Sequence, residues 1–292
     1  MIGRSILVGI LLGLGAAGRT GLAATLPVAG PVAILAAGID GPEGITVDRN
    51  GGVIVGETNG DVVRVTADGV VHPYASTGER LAGLAPLRDG RVLAAAFDTG
   101  RVWSIPPGGG TATVLATVAG APNGIVGTRR GKIFDSVSDA GQIVEISSGT
   151  PVVAASGLAF PNGLAVGPDR YLYVAETFVS RVTRLPLSSA GTLGAAEVYA
   201  TGVTLADGVA FDAHGDLLVA GNDSIERVER GTRTVSVLST DPLLFWPSSL
   251  AFGQGRGLSR HDVFCVNYGL PLGSGTTLAY FRYSRPGARV VR

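Results

Sequence analysis

The sequence predicts an all-β fold, a six-bladed β-propeller, and three observations support this prediction. A short phrase built around a glycine recurs along the chain. The successive anchor residues of this phrase lie 39, 41, 39, 45 and 41 positions apart, and each repeat contains several short apolar stretches separated by turns. A period of about 40 residues with several strands in each unit is typical of a propeller, in which each unit forms one blade around a shared axis.

The repeated phrase also defines a set of equivalent positions. The phrases read GPEGITV, LAGLAPL, APNGIVG, FPNGLAV, LADGVAF and WPSSLAF. Their anchors are Gly44, Gly83, Gly124, Gly163, Gly208 and Ser249. Equivalent positions of a ring converge on its axis, so the residues just before the anchors are expected at one mouth of the central channel. These residues are Glu43, Ala82, Asn123, Asn162, Asp207 and Ser248.

Within each unit the pattern indicates several strands. In the first unit the stretches ITVD, VIVGE, VVRVT and VVHPYA are separated by the turns RNGG and TNGD. The alternation of Val63 and Val65 with Arg64 and Thr66 is typical of a strand with one buried face. No stretch after residue 30 has the pattern of a long amphipathic helix.

An N-terminal strand is expected to close the ring. The segment PVAILAAG at 31–38 resembles the outer strands that precede later anchors, whereas the sixth unit has only three strand-like stretches of its own, SLAF, DVFCVN and TLAYFRYS. We therefore expect residues 31–37 to form the outer strand of the last blade, which removes an exposed sheet edge. One propeller domain is predicted over residues 31–292.

Residues 1–24 are predicted to be a signal peptide. Arg4 is followed by an apolar run at 6–17 and then by small residues. The run is shorter than the roughly 20 residues that span a membrane, although an uncleaved anchor remains the alternative. The predicted localisation is secreted or periplasmic, with no stable membrane anchor after signal cleavage.

Charge and cysteine content restrict the partners. The 23 basic and 23 acidic residues cancel, and no basic stripe is present. This argues against nucleic acid and favours a small-molecule substrate or another protein as the partner. The single cysteine, Cys265, excludes an intramolecular disulfide.

Four of the residues before the anchors carry side-chain oxygen atoms that could bind a metal: Glu43, Asn123, Asn162 and Asp207. Ca²⁺ takes oxygen ligands from carboxylates, amide carbonyls and water, whereas Zn²⁺ prefers nitrogen and sulfur. We therefore predict that these residues bind Ca²⁺, or another divalent metal. Ser248 could support a bound water molecule or act as a weak ligand. The alternative is a non-catalytic binding propeller, because Asn-Gly and Asp-Gly are also ordinary turn dipeptides.

The register of these four residues, and especially FPNGLAVGPDRYLYVAET at 160–177, resembles the senescence marker protein, gluconolactonase and luciferin-regenerating enzyme family of six-bladed propellers. More distantly it resembles the paraoxonases. The resemblance implies that Glu43, Asn123, Asn162 and Asp207 hold a divalent metal, usually Ca²⁺, in the central channel. It also implies hydrolysis of a lactone or related ester, with Asp207 as base or nucleophile.

One departure from this family concerns the substrate. Sugar-lactone hydrolases of the family carry an arginine two residues before the third-blade asparagine, where this chain has Ala121. A sugar lactone is therefore not implied, although Arg80 could compensate.

Loops on the face of the ring are expected to shape the substrate pocket. The candidate pocket residues are Ser248, Asn59, Asp98, Glu176, Phe178, Asn222, Trp246 and Tyr268. The alternative is a propeller enzyme that resembles strictosidine synthase and needs no metal. In that case Glu176 is the expected acidic residue.

Overall fold

The computed structural model describes residues 27–269 and 272–289 and confirms the all-β, six-bladed architecture. Within these residues the only helix is one turn of 3-10 helix at Thr177–Val179. None of the described segments forms a helix that is long and apolar enough to cross a membrane. The predicted signal peptide at 1–24 lies outside the described residues.

The strands form six antiparallel four-stranded sheets. The first strand, β1 (Ala33–Ala37), belongs to the last blade. Blade 1 contains β2 (Ile45–Val47), β3 (Val53–Gly56), β4 (Asp61–Val65) and β5 (Val71–Ser76). Blade 2 contains β6 (Leu81–Pro86), β7 (Val92–Ala96), β8 (Arg101–Ile105) and β9 (Thr113–Thr117). Blade 3 contains β10 (Pro122–Gly127), β11 (Ile133–Val137), β12 (Gln142–Glu145) and β13 (Val152–Ser156).

The remaining blades follow the same order from the axis outward. Blade 4 contains β14 (Pro161–Val166), β15 (Tyr171–Glu176), β16 (Arg181–Pro186) and β17 (Glu197–Thr201). Blade 5 contains β18 (Val209–Phe211), β19 (Leu217–Gly221), β20 (Ser224–Val228) and β21 (Val235–Ser239). Blade 6 contains β22 (Pro247–Phe252), β23 (Asp262–Asn267) and β24 (Thr277–Arg282).

The predicted closure of the ring by an N-terminal strand is confirmed. β1 pairs antiparallel with β24, so that Ala37 lies opposite Thr277, and the strand order of blade 6 is β1-β24-β23-β22. The first and last parts of the described chain therefore share one sheet, and the outer edge of blade 6 is occupied in the same way as in the other blades.

The hydrophobic core is divided among the interfaces between neighbouring blades. Each of the six apolar clusters takes residues from two adjacent blades. Between blades 3 and 4, for example, Phe134 packs with Leu172 and Leu185, all with 0% exposure. Burying a side chain of this size stabilises the fold by about 1.5–3 kcal/mol. The apolar clusters therefore stabilise every interface between neighbouring blades.

The start of the innermost strand differs between blades. β6, β10, β14 and β22 begin two residues before their anchors, whereas β2 and β18 begin one residue after theirs. In the four longer strands the register shifts at the residue before the anchor. Such a bulge breaks the side-chain alternation and re-aims one side chain. The innermost strands therefore do not all begin at the same distance from their anchors.

Candidate functional site

The residues before the anchors form a closed ring around the axis, which we call the axial ring. A Cβ atom added at Gly44 would lie 1.9 Å from the carbonyl oxygen of Ala82, and one at Gly124 would lie 2.4 Å from that of Asn162. Equivalent contacts of 2.2, 2.4 and 2.7 Å occur at Gly83, Gly163 and Gly208. Because real Cβ contacts stay beyond 3.0 Å, the glycine anchors allow each blade to approach the next residue of the ring.

The sixth anchor is a serine, and hydrogen bonds complete the ring there. The Ser248 hydroxyl donates to the carbonyl oxygen of Glu43 at 3.0 Å, and the backbone N–H of Gly208 donates to the carbonyl oxygen of Ser248 at 2.7 Å. Ser248 is 2% exposed. Its hydroxyl therefore joins blade 6 to blade 1.

The two carboxylates of the axial ring share a buried environment, and Arg80 places one positive charge beside Glu43. Burial raises the pKa of Glu43 to about 7, although the Arg80 guanidinium lowers it. Burial, and then the charge of Glu43, raise the pKa of Asp207 well above its usual value. The Oε2 atom of Glu43 is buried and has no hydrogen-bond partner among the described residues. A bound cation would relieve both the repulsion and the unpaired oxygen.

The two asparagines are oriented by neighbouring hydroxyl groups. Nδ2 of Asn123 donates to Ser138 Oγ, and Nδ2 of Asn162 donates to Thr177 Oγ1, both at 3.2 Å. Each hydroxyl commits its own proton to a backbone carbonyl, so it can only accept from the amide. Neither Oδ1 atom accepts a hydrogen bond from the described residues. Both amide oxygens are therefore available as ligands.

Ser138 and Thr177 also link successive ring positions, and the sequence analysis missed both. Ser138 donates to the carbonyl of Pro161 at 2.7 Å, next to Asn162. Thr177 donates to the carbonyl of Ala206 at 2.8 Å, next to Asp207. Both hydroxyls lie 15 positions after the asparagine they orient. This shared spacing is the sequence pattern that could have identified the two hydroxyl groups.

Arg80 lies at the mouth of the channel beside the axial ring. Its guanidinium makes a bidentate ion pair with Asp98, at 2.9 and 2.7 Å, and lies 4.5 Å from the centre of the Phe97 ring. Its Nη1 donates to the Tyr268 hydroxyl at 3.4 Å and lies 3.9 Å from Glu43 Oε2. The structure thus brings Asp98 and Tyr268, two of the candidate pocket residues, together with Glu43.

Other candidate pocket residues lie in loops of the same face. Phe178 is 71% exposed, and its ring centre lies 4.3 Å from that of Phe160. The backbone N–H of Trp246 donates to Asp223 at 3.0 Å, and the backbone of Trp246 has a positive φ of 50°. Asn59 accepts a hydrogen bond from the backbone of its own turn. Asn222, with φ 47°, forms the tight turn between β19 and β20.

Glu176 is buried and forms an ion pair with Arg181, whose side chain is 31% exposed. Its carboxylate accepts from Arg181 at 2.7 and 2.9 Å, from the backbone N–H of Ala159 at 2.6 Å, and from the Thr183 hydroxyl. Burial alone would raise the pKa of Glu176, but these hydrogen bonds outweigh it and lower the pKa. These four hydrogen bonds fix the orientation of the Glu176 carboxylate.

The composition of the axial ring fits a cation that prefers oxygen. Within the described segments, no group of three or more His, Cys, Asp or Glu side chains is arranged to hold a metal ion. The ring supplies two such residues, Glu43 and Asp207, together with the two oriented amide oxygens. Ca²⁺ accepts this mixture of carboxylate, amide and water ligands, and the unpaired Oε2 of Glu43 agrees with it.

Two family models match parts of the sequence. The SMP-30/Gluconolactonase/LRE-like region matches residues 116–260, and the strictosidine synthase-like N-terminal region matches residues 30–65. No curated protein is significantly similar to the chain in sequence.

Solved structures share the fold. A luciferin-regenerating enzyme has a TM-score of 0.75 at 16% identity, covering 91% of this chain and 99% of its own. A putative gluconolactonase has a TM-score of 0.74 at 19% identity, covering 89% and 94%. A calcium-binding regucalcin from Agrobacterium tumefaciens has a TM-score of 0.71 at 19% identity, covering 90% and 98%.

The likeness to these structures lies in the fold, and the family match supports a hydrolase of the lactonase type. Residues 116–260 match the SMP-30/gluconolactonase/LRE-like region, and the resemblance to this family of six-bladed propellers that the sequence predicted is confirmed.

Proposed function

We propose that the chain is an extracytoplasmic, metal-dependent hydrolase of a lactone or a related ester, with Ca²⁺ in its central channel. One observation carries this proposal. The axial ring brings two carboxylates, of which Glu43 raises the pKa of Asp207, and two oriented amide oxygens to the same end of the channel. The extracytoplasmic location is supported by the signal-peptide pattern of residues 1–24.

Glu43, Asn123, Asn162 and Asp207 would hold the ion. The two carboxylates formally balance a divalent charge, and the two amides add dipoles without adding charge. When bound, the ion would supply Lewis-acid polarisation of the substrate carbonyl. The absence of a ligand atom on the Ala82 side chain leaves one side of the ring open for water or substrate.

The protein's own groups would complete the reaction. Asp207 would take a proton from the attacking water or attack the carbonyl carbon itself. Asn123 and Asn162 would fix the direction from which the carbonyl oxygen approaches. Arg80, held by Asp98, presents a guanidinium at the mouth that could orient a polar group of the substrate.

Hydrolysis of a panel of lactones and aryl esters, measured with and without Ca²⁺ after dialysis against a chelator, tests this function. We expect activity only with the metal, and we expect Asp207→Asn to abolish it. Asp61→Asn is the matched control, because Asp61 is exposed and lies outside the ring. Full activity in chelator, or in Asp207→Asn, would contradict the proposal.

The match of residues 30–65 to the strictosidine synthase-like region favours a second candidate, an enzyme of that class that needs no metal. Its acidic residue would be Glu176, which the structure places in an ion pair with Arg181. Activity that survives chelation but is lost in Glu176→Gln would favour this second candidate.

A further inference from the structure

The end of the channel opposite the axial ring opens into a cavity of about 930 Å³, which we call the lower cavity. The innermost strands form its wall. The residues immediately after the anchors line its inner end: Ile45, Leu84, Ile125, Leu164, Val209 and Leu250. The cavity therefore begins directly beneath the ring. Three lining residues per strand, at about 3.3 Å each, give it a depth of roughly 10 Å.

The wall of the lower cavity is apolar and leaves room for a ligand. The residues two positions after the anchors also line it, and most of them are small: Thr46, Ala85, Val126, Ala165, Ala210 and Ala251. Phe211 and Phe252 add aromatic surface further out. Small-molecule sites in proteins have volumes of about 300–1,000 Å³ and mostly apolar walls, so the lower cavity has the size and lining of a binding site.

Arginines surround the opening of the lower cavity. Five of them line it: Arg129, Arg130, Arg170, Arg260 and Arg289. They come from separate parts of the chain, namely the turns that follow β10, β14 and β22, and the segment after β24. The fold therefore gathers, at one opening, positive charge that is dispersed in the sequence.

These five arginines have no acidic partner within 4.0 Å among the described residues, unlike Arg64, Arg181 and Arg227 elsewhere in the chain. Of the described lining residues, Asp212 alone is acidic. It accepts from the backbone N–H of His214 at 2.8 Å and lies 3.5 Å from Nη1 of Arg285. The charge of Asp212 is thus already compensated.

Two of the guanidinium groups are fixed at the opening and three are available. Arg130 donates to the carbonyl of Ser189 at 2.7 Å, and Arg260 donates to the carbonyl of Gly287. Arg129, Arg170 and Arg289 are exposed, and their side chains donate no hydrogen bond within the described part of the chain. An anion at the opening would therefore find several guanidinium donors at once.

We propose that the lower cavity binds a single-chain anionic amphiphile, a carboxylate with an aliphatic tail. The tail lies between the innermost strands, and the carboxylate lies among the arginines. An apolar wall without the arginines would favour any oily ligand, and arginines without the wall would favour any anion. The combination selects a molecule that has both parts. This site is separate from the axial ring and does not depend on the proposed hydrolase function.

Isothermal titration of the purified protein with monomeric decanoate tests the proposal, with acetate and decyltrimethylammonium as comparison ligands. We expect one decanoate to bind per chain. We expect no binding of acetate, which lacks the tail, or of decyltrimethylammonium, which has a cationic head. Arg129→Gln combined with Arg130→Gln should weaken decanoate about tenfold, and higher salt should weaken it further. The single variant Arg289→Gln should also bind decanoate more weakly than the parent does.

Arg282→Gln is the matched control, because Arg282 is 69% exposed and does not line the cavity. It should bind decanoate as the parent does, and unchanged thermal melts would show that all variants are folded. Equal binding of decanoate and the cationic ligand would overturn the proposal, as would equal affinity of the parent and the arginine variants. Binding to anionic vesicles without binding to monomeric decanoate would also overturn it.

Discussion

The hydroxyl of Thr177 orients Asn162 and simultaneously contacts the segment that carries Asp207. Thr177→Val keeps the shape of the side chain but removes both hydrogen bonds. Without its acceptor the amide of Asn162 can turn its NH₂ group toward the channel, where it would repel a cation instead of binding it. We therefore expect Thr177→Val to bind calcium more weakly, although the metal-binding residue Asn162 is itself unchanged.

The size of this effect follows from the two hydrogen bonds that valine cannot make. A hydrogen bond of this kind contributes about 1 kcal/mol net, and loss of a group that orients a metal ligand weakens metal binding by about 10–100-fold. A tenfold change corresponds to about 1.4 kcal/mol. We expect Thr177→Val to raise the calcium Kd at least about tenfold.

Calcium titration by calorimetry after chelator dialysis measures this change directly. Thr177→Ser is the matched control, because it retains the hydroxyl and should bind calcium as the parent does. The reasoning would be refuted if folded Thr177→Val bound calcium within twofold of the parent. Equal losses in the valine and serine variants would also refute it.

Three further predictions concern stability. Deletion of 31–37 should abolish the cooperative thermal melt because blade 6 loses its outer strand, whereas deletion of 1–24 should leave the melt unchanged; similar melts for both truncations would contradict the closure. Asp135 is 0% exposed and its carboxylate has no partner among the described residues, so burial raises its pKa and its ionisation destabilises the fold as pH rises. Asp135→Val should raise the free energy of unfolding at pH 7 by about 2 kcal/mol in chemical denaturation, and a loss of stability would refute this. Asp216 pairs with Arg227 in a buried site, where hydrogen bonds and charge lower the pKa of Asp216 despite burial, so Asp216→Asn should cost about 3 kcal/mol at pH 7. The cost should shrink as pH falls below about 4, the ordinary pKa of an aspartate, because the unfolded chain then takes up a proton that folded Asp216 takes up only at lower pH. A cost independent of pH would contradict the assignment.

The sequence was sufficient to predict the number of blades and the closing strand. The anchor glycines recur because each backbone must approach the next blade more closely than a Cβ allows, so the repeat records the geometry of the axis. The short strands between the turns are also recognisable in the sequence, because each strand packs apolar side chains against a neighbouring blade.

Much of the site was not predictable, because it depends on hydrogen bonds and ion pairs between distant residues. Ser138 and Thr177 look like ordinary strand-end residues until their hydroxyls are seen to bridge successive blades. The bidentate pair of Glu176, a predicted pocket residue, with Arg181 is likewise visible only in the structure. The arginines of the lower cavity share no motif, and only the fold brings them together.

The proposed hydrolase depends on one divalent cation in the axial ring. The most direct measurement is the metal content of the purified protein after dialysis against calcium and then against buffer. The structure predicts one calcium ion per chain in the parent and none in the double variant Glu43→Gln, Asp207→Asn. A folded parent without bound metal, or a double variant that retains it, would contradict the claim.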